Sequence, residues 1–410
     1  MNDSRISIRG TELAKRRHSA LLVLSIYSAQ LATAAILNHF SLMTKHHLFW
    51  VTLYYLISFF AAVPQAGFSD ESGRKKHLLI ASSCILGTTI WFLIIAWLQA
   101  IVPRLAITTI PAFSILPACV VIGLLGNVIP IARGCLAALK LHNFQAAIGL
   151  TSSAIGLGWI TSDFLTLALG SNGVLIFSSF LQLIVIICVK ISYFFQENRT
   201  VHKKIIRKSY TWLLSILFVT GGSTALAAYL LTETTFYQIY TLDEFPSNTT
   251  GGKIIGTLMG IGYSAGVIML WILNPSNKNS IKFGLVISFS CLIAMIICVF
   301  VFPEVPSRDF YMLRTNGVLQ FLFALGFGFS VPALFSLMSN HVHPSHFGRL
   351  FGAIDSTDTA ALYFSAFLLN LKTRLMLNDQ IVFVSSSLLI LLSARLYYKV
   401  IKVFRSYEKH

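Results

Sequence analysis

The feature that most constrains this chain is a succession of twelve apolar runs, at 19–40, 48–68, 78–100, 112–137, 145–169, 173–194, 210–232, 253–273, 281–302, 315–338, 350–371 and 380–400. A helix needs roughly 20 apolar residues to cross about 30 Å of hydrocarbon, so each run is long enough for one crossing. In lipid every backbone N–H and C=O must find its partner within the chain, which makes helices the natural form for such runs. Of the 410 residues 55% are hydrophobic and only 11% charged, too little polar surface to cover a soluble body of this size. The fold class expected is all-α, a polytopic membrane protein with 12 transmembrane helices.

A net charge of +16 would suit a nucleic-acid partner, so the positions of the cations decide. With the N-terminus placed inside, the inner segments hold all of the 31 Lys and Arg except Lys45, Arg104, Lys253, Arg308, Arg314, Lys372 and Arg374. That bias is the positive-inside pattern of a membrane protein with both termini in the cytoplasm, and it explains the basicity without nucleic acid. The run 19–40 follows five cations, as a secretory signal would, but it is too long for a signal's apolar core and eleven runs follow it. It reads as a retained first helix. Cys84, Cys119, Cys135, Cys188, Cys291 and Cys298 all fall inside apolar runs with no pairing or metal-binding spacing.

The basic segment Gln196–Ser209 separates six runs from six. The domains expected are therefore an N-terminal bundle over 1–195, a cytoplasmic linker over 196–209 and a C-terminal bundle over 210–410. An internal repeat supports the division. Gly126-Asn-Val-Ile-Pro130 in the fourth run is matched by Gly328-Phe-Ser-Val-Pro332 in the tenth, and Phe144 with Gly149 by Phe347 with Gly352, both about half the chain length apart.

Between the second and third runs lies a short charged turn, Ala66-Gly67-Phe68-Ser69-Asp70-Glu71-Ser72-Gly73-Arg74-Lys75-Lys76-His77. It resembles the loop between the second and third helices of the major facilitator superfamily, where G-x-x-x-D-R/K-x-G-x-R/K-R/K recurs. Asp70, Gly73, Lys75 and Lys76 fall on the pattern and Arg74 fills its free place; Ala66 stands where the first glycine would be, and Glu71 where a cation is usual. The resemblance implies two pseudo-symmetric six-helix bundles in a secondary transporter. It also implies that Asp70 lies against the N-terminal end of the eleventh helix, whose positive dipole end favours a carboxylate, while the cations brace an inner gate.

Gly126-Asn-Val-Ile-Pro-Ile-Ala-Arg-Gly-Cys-Leu-Ala-Ala138 is similar to the fourth-helix ending of the same superfamily, G-N-x-x-P-I-A-R-A-A-L-A-D. Arg133 matches, but Ala138 replaces the aspartate, so the charge relay implied for the inner gate lacks that carboxylate. The upstream R-x-x-x-G is missing, with Cys119 four residues before Gly123, and Gly156-Leu-Gly158-Trp159 lacks the G-P pair common among proton-driven exporters.

A charge near the bilayer centre costs at least about 2.5 kcal/mol, so ionisable residues inside the runs are candidates for function. Four carboxylates qualify: Asp163, Glu233, Asp355 and Asp358. Asp355 and Asp358 are spaced i, i+3 on one helical face, about 7 Å and about 12 Å in from the inner end at 1.5 Å per residue. Desolvation and mutual repulsion suit such a pair to carrying protons. Asp163 and Glu233 also fit helix ends reaching outer water. Glu233, Tyr237 and Tyr240 form one stripe at helical spacing, either a cavity wall or an interfacial anchor. Gly221-Gly222 and Gly260 with Gly262 mark places where helices bend or pack closely.

His341, His343 and His346 resemble a metal cluster, but no cysteine or carboxylate completes a ligand set. Asn248-Thr-Thr is a glycosylation sequon placed on an outer loop. No phosphate loop, catalytic triad or haem motif is visible, so neither an enzyme nor a cofactor is expected. The function expected is secondary active transport of a small solute by alternating access, with proton-coupled uptake of a polar metabolite ahead of proton-driven export of drugs or metabolites. Proton coupling and substrate fall to Asp358, Asp355, Glu233, Asp163, Tyr237 and Tyr240, and gating to Asp70, Gly73, Arg74, Lys75, Lys76 and Arg133. The partners expected are that solute, protons and the lipid bilayer, for a monomer in the bacterial inner membrane.

Overall fold

The structure, a computed structural model, describes residues 2–43, 47–101, 110–139, 141, 143–192, 248–301, 309–340, 342, 344–360 and the single positions 388, 391 and 395. The seventh run, most of the twelfth, the linker over 196–209 and the residues Glu233, Tyr237 and Tyr240 lie outside them. The described elements are helices, and the fold is all-α. They are α1 (Asn2–Met43), α2 (His47–Ser72), α3 (Arg74–Ile101), α4 (Ile110–Leu125), α5 (Val128–Ala138), α6 (Phe144–Ile191), α7 (Asn248–Leu273), α8 (Asn277–Val301), α9 (Asp309–Ser339) and α10 (347–360), with a 3-10 turn at Pro344–His346 before α10. Six stretches among them are long and apolar enough to cross a membrane: Ala14–Phe40, Phe49–Ser72, Arg74–Leu98, Ser114–Ala138, Phe144–Ile191 and Gly317–Ser339.

Two boundaries rest on glycine. The fifth and sixth runs join at Gly170, whose φ of 72° and ψ of 169° break α6 into two crossings, a backbone region reserved in practice for a residue without Cβ. Gly73, at φ 107°, is the whole connection between α2 and α3, and its N–H closes α2 on Ser69 C=O at 3.1 Å. One sequence expectation gains detail and another changes. The fourth run remains one stretch long enough to cross, Ser114–Ala138, but its helix is interrupted at Gly126-Asn127. Asn248-Thr-Thr, placed in a loop, is the first turn of α7.

The chain clusters into two compact units, one of residues 1–204 with 342–356 and the other of residues 205–341 with 357–410. In the first unit α1 lies along α6. A Cβ on Gly158 would come within 2.9 Å of Gln30 and Leu31, so the glycine sets how closely these helices approach. Polar groups face each other along the same seam: Tyr27 Oη donates to Thr161 at 3.1 Å, Trp159 Nε1 to Gln30 at 3.1 Å and Asn38 Nδ2 to Asp163 at 3.0 Å, while His39 Nδ1 lies 2.7 Å from Ser171 Oγ. Phe40 and Phe92, both fully buried, fill the space between α1 and α3 with ring centroids 5.5 Å apart.

In the second unit α9 runs between α7 and α8. Gly262 and Gly266 of α7 meet the α9 backbone at Phe321 and Leu325, and Gly284 of α8 meets it at Gly326 and Ser330. Gly262 therefore serves close packing, and α7 is continuous through it. Ser288 Oγ donates across the other contact to Phe323 C=O at 3.2 Å. Lipid supplies little force to bring helices together, so van der Waals fit at such glycines and interhelical hydrogen bonds hold this unit.

Candidate functional site

The turn at Asp70 and the start of α10 meet within the first unit. Asp70 is at the C-terminal end of α2, its side chain 3% exposed. Its Oδ1 accepts the Gly348 N–H at 2.9 Å and its Oδ2 the Arg349 N–H at 3.0 Å. These are N–H groups of the first turn of α10, which have no acceptor within the helix, and the macrodipole adds its own preference for a carboxylate there. Asp70 thus caps the N-terminal end of α10.

Arg74 completes the cluster. Its Nη2 and Nε donate to Asp70 Oδ1 at 2.7 and 3.0 Å, while Nη2 also reaches Pro344 C=O at 2.7 Å and Nη1 reaches Gly134 C=O at 3.4 Å. One buried guanidinium thus ties α2, α5 and the turn before α10 together. With Ala138 in place of an aspartate, backbone carbonyls stand as its further partners. Glu71, where a cation is usual, pairs with Arg349, so the charge lost on one side is met by an opposite charge on the other. That pair is 46% and 56% exposed, and exposed pairs are worth about 0–1 kcal/mol.

The approach of α10 to α2 depends on small residues that the sequence reading did not single out as a face. Gly348 and Gly352 lie one turn apart against Ala66 and Ala62 of α2; a Cβ on Gly352 would come within 2.7 Å of Ala62 C=O, and one on Gly348 within 2.7 Å of Asp70 Oδ1. The signal is G-x-x-x-G facing A-x-x-x-A, a pattern that lets two backbones come close. Gly134 of α5 closes the other side of Gly348. Further along, Ser356 Oγ donates to Phe59 C=O at 2.8 Å.

The other named residues divide. Gly73 is the turn itself. Lys75 donates to Lys190 C=O at 2.9 Å and Ser192 C=O at 2.6 Å, capping the end of α6 as a cation at a helix C-terminus does. Lys76 is exposed on the first turn of α3. Arg133 is 2% exposed on α5, donating to Thr151 at 3.0 Å and Ser152 at 2.8 Å. Asp355, half-buried on α10, interacts electrostatically with Arg133 and with Tyr54. Asp358 is half-buried on the next turn of α10, and Asp163 holds its bond from Asn38 on the α1–α6 seam, apart from the Asp70 cluster in sequence and contacts. His341 and His343 lie outside the described residues, and among the described residues no group of three metal-ligating side chains converges.

Residues 19–364 match the family described as the Major Facilitator Superfamily. The human organic anion transporter MFSD10 (TETRAN) has a similar structure, with TM-score 0.66 and 14% identity over 93% of this chain and 99% of that one. So has a bacterial homologue of the iron transporter ferroportin in its outward-facing state, with TM-score 0.71 and 12% identity over 94% and 99%. The latter with soaked iron gives TM-score 0.66 and 13% identity over 93% and 98%. At these identities the likeness is one of fold. Among curated proteins none matches the sequence.

Proposed function

The chain belongs to the major facilitator superfamily and is a membrane transporter rather than an enzyme; from that premise we propose that it moves a small polar solute by alternating access, driven by protons. The observation that carries this reading is the Asp70 carboxylate closing the first turn of α10. A contact made of backbone N–H groups and one buried carboxylate is rigid when formed and is lost as a unit when the helices separate, which is the behaviour of a gate. The proposed gate comprises Asp70, Gly73, Arg74 and Arg133, with Lys75 and Lys76 holding the adjoining helix ends, and it faces the cytoplasm with both termini.

The proton is assigned to α10. Asp358 sits one turn beyond Asp355 on the helix whose start is the gate, so a charge gained or lost there acts on the element that must move. Glu233, Asp163, Tyr237 and Tyr240 are the remaining candidates for solute and proton. The reading takes uptake as the direction and a monomer as the working unit; export of drugs or metabolites is the alternative direction, and the ligand's chemistry separates them.

The test begins with the detergent-purified protein in a thermal-shift screen against sugars, amino acids, organic acids, nucleosides and lipophilic cations, since a ligand bound only to the folded state raises its melting temperature. For a solute that binds, Asp358→Asn is expected to abolish accumulation driven by a pH gradient in liposomes while sparing counterflow exchange. Unchanged accumulation removes Asp358 from the coupling. Stabilisation by lipophilic cations alone moves the reading to export.

A further inference from the structure

The motif shared by the two halves gives two different backbones. At Gly126-Asn-Val-Ile-Pro130 the helix stops, α4 ending at Leu125 and α5 beginning at Val128. At Gly328-Phe-Ser-Val-Pro332, α9 is helical from Asp309 to Ser339. Proline does not account for the difference, because each motif places one four residues after its glycine. The residue after the glycine does differ.

Asn127, at φ −75° and ψ 69°, is the centre of an inverse γ-turn that Val128 N–H closes on Gly126 C=O at 2.8 Å. Its side chain replaces what the helix loses: Nδ2 donates at 3.2 Å to Gly123 C=O, the acceptor that the residue's own N–H would meet in a continuous helix. Ser58 Oγ donates to Asn127 Oδ1 at 2.9 Å, and Gln65 Nε2 to Leu125 C=O at 2.6 Å, while Gln65 Oε1 is buried with no partner among the described residues. Two side chains, Asn127 and Gln65, thus meet backbone carbonyls at the break, and Ser58 holds the Asn127 amide in place. Phe329, the counterpart of Asn127, brings no polar group, and Gly328 packs closely against Tyr263 C=O and Gly266 of α7.

What lies beyond the break is gate. Gly134 of α5 packs against Gly348 and accepts from Arg74, and Arg133 of α5 interacts with Asp355 of α10. We propose that Asn127 is a positioning residue for transport: with Ser58 and Gln65 it maintains a hinge about which α5 swings as one piece, making and releasing the α10 contact without moving α4. The inference rests on the gate reading above. A hinge of this kind adds bending within one helix bundle to any motion of the bundle as a whole.

The experiment is pulsed electron paramagnetic resonance on the full chain in a cysteine-free background. Spin labels at Ala138 and Lys190 report α5 against the end of α6, which Lys75 anchors. Labels at Phe68 and Ser345 report the gate. A swing of about 20° over the 11 residues of α5 displaces its far end by about 5 Å. Asp70→Asn is expected to change both distances, and adding Asn127→Ala with Pro130→Ala, which lets the helix close through, is expected to cancel the Ala138–Lys190 change. A gate that opens while Ala138–Lys190 stays fixed overturns the hinge, and so does a change that survives the added substitutions. The comparison of Asp70→Asn with the unsubstituted chain decides the matter even where the triple variant does not fold. A gate that stays shut in Asp70→Asn removes the gate reading first and the hinge with it.

Discussion

Asp70→Asn isolates the charge at the proposed gate while nearly keeping its shape. The carboxylate takes four short contacts, two from the α10 backbone at 2.9 and 3.0 Å and two from Arg74 at 2.7 and 3.0 Å. An amide keeps one acceptor oxygen and turns an NH2 towards groups that are themselves donors. At least one hydrogen bond to a charged group is lost, worth about 1.5–3 kcal/mol, together with the favourable charge at the helix N-terminus, worth up to about 2 kcal/mol when partly buried. Arg74, itself 5% exposed, loses its charged partner Asp70. A total near 3 kcal/mol corresponds to about a hundredfold greater population of undocked α10. Hydrogen exchange followed by mass spectrometry reads that population when opening and reclosing are fast. Exchange at Gly348 and Arg349 is expected to rise about a hundredfold, with residues 258–285 of the second unit unchanged. A rise of less than about threefold at those amides would refute the assignment of Asp70 as the group that holds α10.

Three further outcomes follow from the same geometry. Gly348→Ala places a Cβ 2.7 Å from Asp70 Oδ1 and closer still to Ala66 C=O, so it is expected to weaken the docking of α10 by about 1–3 kcal/mol, seen in the same exchange experiment without any change of charge. Gly170→Ala strains a corner at φ 72°, ψ 169° by about 1–3 kcal/mol, lowering the melting temperature of the purified protein while exchange at α10 stays as it was. Glu71→Gln removes the half-exposed pair with Arg349 and is expected to change α10 exchange by less than about fivefold, with the difference vanishing at high salt. An effect as large as that of Asp70→Asn would show that the exposed pair, not the buried one, carries the contact.

The crossings were legible because lipid imposes one length and one hydrogen-bond pattern on every run. The corner at Gly170 fell in the three-residue gap between the fifth and sixth runs for the same reason. The contact of Asp70 with α10 has no local signature, since nothing in its neighbourhood says that its acceptors meet a turn 278 residues away. The Glu71–Arg349 pair was missed on the same ground: a charge that departs from a pattern gains meaning from its partner, and the partner is distant in sequence. The break at Asn127 was hidden inside a run long and apolar enough for one crossing, because hydropathy does not register one buried amide that takes over a backbone bond. Lys75 read as one of three bracing cations, whereas its position against the last carbonyls of α6 depends on where that helix ends.

Proton-driven accumulation is the most direct test of the proposed transport. Purified protein in liposomes, given a solute found by thermal shift and an inward proton gradient, is expected to concentrate that solute inside above its outside level. A protonophore should then release it to equilibrium. Equilibration that neither the gradient nor the protonophore alters would contradict proton coupling, and no protein-dependent flux of any solute that stabilises the chain would contradict transport of those solutes.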